Sequence, residues 1–168
     1  MWTRISKHHL FWPLVALLLL LLFNAVYNPG FFAIRVQSGH LYGSLIDILN
    51  FGSPLMLVAI GMTLVIATGG IDLSVGSMVA ISGAMACLMI SRSADQNSLG
   101  AVILAIALAL GLSILLGLWN GLLVAGAGIQ PIIATLILMV AGRGIAQLIT
   151  SGQIITINSD PYRYIGMG

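Results

Sequence analysis

Long apolar runs separated by short polar or glycine-rich breaks dominate the chain. The runs are continuous rather than alternating, which excludes barrel strands, whose lipid-facing and lumen-facing residues alternate. A membrane-spanning helix needs about 20 mostly apolar residues. By that measure the pattern predicts five spans, near residues 10–27, 51–68, 74–90, 99–125 and 132–149. Trp12 and Tyr27 stand where aromatic anchors of the first span belong. Residues 28–50 read as a polar loop opened by Asn28-Pro29-Gly30 and holding Arg35, His40 and Asp47, with 45–49 expected to lie along the membrane surface. Residues 91–98 form an aqueous linker, 126–131 a break ending in Gln130-Pro131, and 151–168 a polar tail. The expected fold class is all-α, a polytopic transmembrane helical bundle forming a single domain over residues 1–168.

Composition strengthens this reading. Of 168 residues 60% are hydrophobic and only 6% charged, and mean hydropathy is +1.12. Soluble domains carry about 25% charged residues, so lipid is the solvent, and only helices or closed barrels satisfy the backbone there. The six basic residues are spread thinly, with no patch suited to nucleic acid. The single cysteine, Cys87, excludes an internal disulfide framework and reads as a small buried apolar residue. Arg4 and Lys7 before the first run resemble the start of a secretory signal. Asn24-Ala25-Val26-Tyr27-Asn28-Pro29 follows where small residues of a cleavage site belong, so the first run is expected to stay as a helix. The same two cations place the N-terminus in the cytoplasm. Residues 69–73 and 126–130 then face inward, and 28–50 and 91–98 outward.

Candidate chemistry is sparse. Asp72, one of four acids in the chain, lies in Ala67-Thr68-Gly69-Gly70-Ile71-Asp72-Leu73-Ser74-Val75-Gly76-Ser77 between two apolar runs. Gly69 and Gly70 end one helix, since glycine takes the left-handed conformation common past a helix C-terminus; Gly76 belongs with them as a small residue of this break. Asp72, with Ser74, is expected to cap the next helix through free N–H groups; the alternative is that an ionisable group near membrane depth serves translocation or coupling. Asn120 either bonds between helices or faces a polar solute path. Gln130 reads as a turn residue or a ligand contact. Arg143, between Gly142 and Gly144, either snorkels along its stem or stands at the mouth of a pathway. Gly76, Ala80 and Ala84, like Gly117, Gly121 and Ala125, recur every four residues and are expected to line close helix contacts. No His, Cys or Glu group has metal-ligand spacing, no Ser sits in a nucleophile elbow, and no phosphate-binding loop occurs. The chain is expected to be a transport or structural subunit rather than an enzyme, with no cofactor of its own.

The stretch from Gly61 to Ser77 closely resembles the signature of sugar-uptake ABC permeases of the ribose/galactose type, in the superfamily of branched-chain amino acid permeases. Gly117-Leu118-Trp119-Asn120-Gly121-Leu122-Leu123-Val124, Ile129-Gln130-Pro131-Ile132-Ile133-Ala134-Thr135-Leu136, Gly142-Arg143-Gly144 and Ser151-Gly152-Gln153 follow in the family's order and spacing. Within the family the chain looks most like galactofuranose-type permeases. The resemblance implies a monosaccharide importer in the bacterial inner membrane. Its implied partners are a cytoplasmic sugar-type ATPase, a second permease subunit and a periplasmic sugar-binding protein. Such permeases have roughly ten spans, so this chain is expected to be an N-terminal half. The competing expectation is a non-transporting membrane scaffold or remnant.

Overall fold

The computed structural model describes residues 10–37 and 40–167. Arg4, Lys7, His8 and His9, on which the orientation rests, lie outside the described residues. The chain divides into two units, Met1–Leu55 and Met56–Gly168.

In the first unit, α1 (Phe11–Tyr27) is a leucine-rich helix with no buried residue. It closes at Asn28, whose N–H returns to the Asn24 carbonyl at 2.8 Å. A short antiparallel hairpin follows, β1 (Arg35–Gln37) with β2 (His40–Tyr42), in a register that opposes Val36 to Leu41. Helix α2 (Ser44–Ala67) then starts at Ser44 and crosses into the second unit. The polar loop expected to run through residue 50 therefore ends at Gly43. Residues 45–49 belong to the helix because Asp47 stands in its first turn, where a carboxylate favours the positive end of the helix dipole.

The second unit contains α3 (Val75–Arg92), α4 (Leu99–Gly121) extended by a π-helical turn (Leu122–Gly126), α5 (Pro131–Ile149) and α6 (Asp160–Met167). Helix α3 is central and packs against both α4 and α5, which touch each other little. Its buried face is Ser77, Ile81, Ala86 and Ile90. Opposite Ser77 stands Gly142 of α5. A methyl group at Gly142 would lie 2.8 Å from Ser77 Cβ and 3.1 Å from Ile81 Cδ1, so the helices meet there only because glycine has no side chain.

The expected packing stripes are met in part: Ala84 is half-buried, and a methyl group at Gly117 would lie 3.7 Å from Met78 Cε of α3. Gly76, Ala80, Gly117, Gly121 and Ala125 are exposed, and Gly76 sits inside the first turn of α3 rather than breaking a helix. Repeating small residues mark a shared face, but Ser77 and Gly142 make the closer approach. The tail also departs from expectation. Ile157 and Tyr162 pack on a cluster of Ala86, Ile90, Val102 and Ala105 at the far end of α3 and α4. The Asn158 and Asp160 N–H groups donate to the Gln96 and Asn97 side-chain oxygens, each at 2.9 Å.

The fold is an all-α membrane bundle. By length and composition, α2, α3, α4 with its π extension, and α5 can each cross a bilayer, while α1 is shorter at 17 residues. Their outward surfaces are covered by large exposed apolar side chains, among them Leu55, Leu64, Ile114, Val140 and Leu148. Such side chains suit a lipid surround, which is as apolar as they are.

Candidate functional site

The irregular segment between α2 and α3 is the most heavily bonded place in the second unit that lies outside a helix. Helix α2 closes with the Gly69 N–H on the Ile66 carbonyl (2.9 Å) and the Gly70 N–H on the Val65 carbonyl (3.0 Å). Gly69 has φ +77°, a left-handed conformation that glycine takes without penalty. Residues 70–74 then run as a strap with no regular structure. Gly70 lies against Pro131 at the start of α5. The Ile71 carbonyl accepts from Thr135 Oγ1 at 3.2 Å, and Ser77 meets Gly142. From Pro131 to Gly142 a helix rises about 16 Å. The strap therefore climbs beside α5, and α3 begins well inside the bundle rather than at its edge. Non-helical backbone at membrane depth is tolerated only where protein buries it or a water-filled cavity lines it.

Three of the singled-out residues meet on this strap. Asp72 Oδ1 accepts from the Ser74 N–H at 2.7 Å and from the Ser74 hydroxyl at 2.6 Å. Asn120 Nδ2, from α4, donates to Ser74 Oγ at 3.0 Å. Ser74 is fully buried and Asn120 is 7% exposed. Both bonds of the Asp72 carboxylate go to Ser74, whose N–H is one of the free N–H groups at the start of α3; Asp72 thus closes the turn at the N-cap and meets none of the N–H groups beyond it. Ser74 holds the N-cap position without a side-chain cap bond; its hydroxyl donates to Asp72 and accepts from Asn120. The Ser77 hydroxyl, in turn, donates to the Ser74 carbonyl at 2.7 Å. One buried group is left over: Asn120 Oδ1 has no partner among the described residues. Leaving a buried acceptor unpaired costs about 1–3 kcal/mol.

The other two candidates stand apart. Gln130 precedes Pro131 at the N-cap of α5 with its side chain exposed and its carbonyl accepting from Ile133 and Ala134. Arg143 is exposed on the side of α5 away from α3. Thr135, Ser77 and Gly142 belong to the strap's support and were not among the expected site residues. The signal for Thr135 was a lone hydroxyl one turn past the α5 proline. The arrangement holds hydrogen-bond acceptors and one carboxylate; among the described residues no three His, Cys, Asp or Glu side chains gather to bind a metal.

Residues 44–168 match the family described as branched-chain amino acid transport system / permease component. The chain is 54% identical to the galactofuranose transporter permease protein of Escherichia coli, over 99% of this chain and 48% of that relative. It is 41% identical to the fructose import permease protein of Bifidobacterium longum, over 89% of this chain and 41% of the relative. To the ribose import permease protein of Escherichia coli it is 40% identical, over 92% and 45% respectively. The chain thus spans about half the length of the curated relatives it matches. No solved structure matches it.

Proposed function

Because the chain belongs to the branched-chain amino acid transport permease family, we propose that it forms the membrane-spanning part of an ATP-binding-cassette importer for a monosaccharide. The chain is a multi-pass membrane protein whose relatives are sugar-importer permeases. In this reading a separate cytoplasmic ATPase drives transport, a periplasmic sugar-binding protein delivers the solute, and a second permease subunit completes the path. The N-terminus lies in the cytoplasm of a bacterial inner membrane, and galactofuranose is the favoured solute. The observation that carries the reading is the 54% identity sustained along 99% of the chain.

The strap fits such a role. Transporters commonly place their sites where a spanning element is interrupted and irregular backbone turns toward a cavity. Asp72, Ser74 and Asn120 are then the residues through which this segment senses the path or couples to its opening. The test is a chimera in which residues 1–168 replace the matching segment of the Escherichia coli galactofuranose permease. In a strain lacking that permease, radiolabelled galactofuranose uptake should be retained, and Asp72→Asn in the chimera should abolish it at unchanged membrane level. A chimera that inserts normally but transports nothing would favour the scaffold alternative. Full uptake by the Asn variant would remove Asp72 from coupling.

A further inference from the structure

Helix α5 has two unlike faces. Ala134, Thr135, Leu138 and Gly142 are buried. On the other side Ile133, Ile137, Val140 and Leu148 are exposed, as suits contact with acyl chains. Arg143, Gly144 and Gln147 interrupt that apolar surface and are exposed as well. Positions 140, 143, 144, 147 and 148 follow the three- and four-residue spacing that puts them on one stripe. By helix rise Arg143 lies about 18 Å from the Pro131 end of α5 and about 9 Å from the Ile149 end; with α5 spanning a hydrocarbon layer of about 30 Å, that level falls within the layer. Helical side chains lean toward the helix N-terminus, so the stem of Arg143 starts out away from the nearer, Ile149 end. Snorkelling to that end works against the helix geometry.

The guanidinium has no hydrogen-bond or ion-pair partner among the described residues. The chain has four acids. Among the described residues none of them is bonded to Arg143: Asp72 Oδ1 accepts from Ser74, and Asp95 and Asp160 lie beyond the C-terminal ends of α3 and α5. We propose that the Arg143–Gly144–Gln147 stripe is the docking line for a further transmembrane helix that brings a carboxylate to the level of Arg143. Ionisable groups inside a membrane pair with one another or with carbonyls. Gly144 supplies the small surface that lets a helix backbone approach, and Gln147, one turn on, offers both a donor and an acceptor. The inference is independent of whether the chain carries sugar.

The test uses the whole chain in phosphatidylcholine vesicles, donor-labelled, with acceptor-labelled 21-residue leucine–alanine transmembrane peptides. One peptide carries a single Asp six residues from one end, a second carries it at the centre, and a third carries none. Energy transfer to the first should show about tenfold tighter association than to the third, and the central Asp should be weaker than the first. Arg143→Leu should erase the difference, and Arg143→Lys, which keeps a charge, should preserve part of it. Equal association of the three peptides would overturn the proposal. So would loss of the Asp preference when anionic phosphatidylglycerol is added, which would assign Arg143 to lipid phosphate. Arg143-dependent pairing of two copies of the chain without peptide would assign the face to self-association, and would overturn it too.

Discussion

Helices α3 and α4 are joined at both ends, but by different means. At one end Ala86, Ile90, Val102 and Ala105 form an apolar cluster covered by Ile157 and Tyr162. The polar groups there are paired locally: Gln96 and Asn97 receive the N–H groups of Asn158 and Asp160. At the other end the join is Asn120 to Ser74 to Asp72, set in non-helical backbone, with one amide oxygen unpaired. An apolar cluster is tolerant and adds stability without choosing among states. A buried polar chain is demanding: fully satisfied it specifies one arrangement, and partly satisfied it leaves room for another. The first end is held by apolar packing, the second by a polar chain that leaves one acceptor unpaired.

The sharpest way to break the contrast is Asn120→Asp. It keeps the shape but puts a carboxylate in a site 7% exposed, joined through Ser74 to Asp72. Its bonded neighbour among the described residues is the Ser74 hydroxyl rather than a cation, so destabilisation on the order of 3 kcal/mol is expected, read by detergent unfolding of the purified chain. At the apolar end Ile90→Ala should cost about 2 kcal/mol, the low end of the usual range, because lipid rather than water is the reference solvent. A loss at Ile90 larger than at Asn120 would reverse the assignment of roles. Next in size is Asp72→Ala, expected to cost about 1 kcal/mol through loss of the Ser74 turn. Asp72→Asn should be nearly neutral in the same unfolding measurement, since an amide oxygen accepts the same bonds. Smallest is a pH effect at the apolar end. Burial, and secondarily Cys87, pushes the Tyr162 phenol up, so the folded state holds that proton more tightly than the unfolded chain. The packing of Tyr162 should be fully stable below the ordinary phenol value of about 10 and weaken as pH rises through the raised one. Tyr162→Phe should remove that dependence.

Much of this is legible in the amino-acid sequence. Lipid demands long apolar runs, so the helices could be read from hydropathy. Asp72, Ser74 and Asn120 stood out because polar side chains there are scarce, and they meet. Gln130 and Arg143 stood out for the same reason and do not join them. Scarcity says that a residue has a reason to be present, not which neighbour supplies it. Thr135 and Ser77 stayed hidden because hydroxyls in membrane helices routinely bond their own preceding turn, as Thr135 also does to the Pro131 carbonyl at 2.9 Å. The small-residue stripes identify a face without saying what covers it: Gly117 lies against Met78, while Gly121 and Ala125 are exposed. The hairpin at 35–42 and helix α6 were missed because elements so short depend on tertiary partners more than on their own pattern.

The strap from Gly70 to Ser74 also works as a spacer of set length. Extended backbone advances about 3.3 Å per residue against 1.5 Å in a helix. Deleting or inserting one strap residue would slide α3 along α5 by up to about 3 Å, or as many as two helical positions. Gly142 would then face a different residue of α3, in a gap already closed to less than a methyl group's clearance. A glycine-containing connection between helices is ordinarily where length variation is best tolerated. Here changes of length should be tolerated no better than substitutions in the buried face of α3, because those few residues set the vertical register of the bundle.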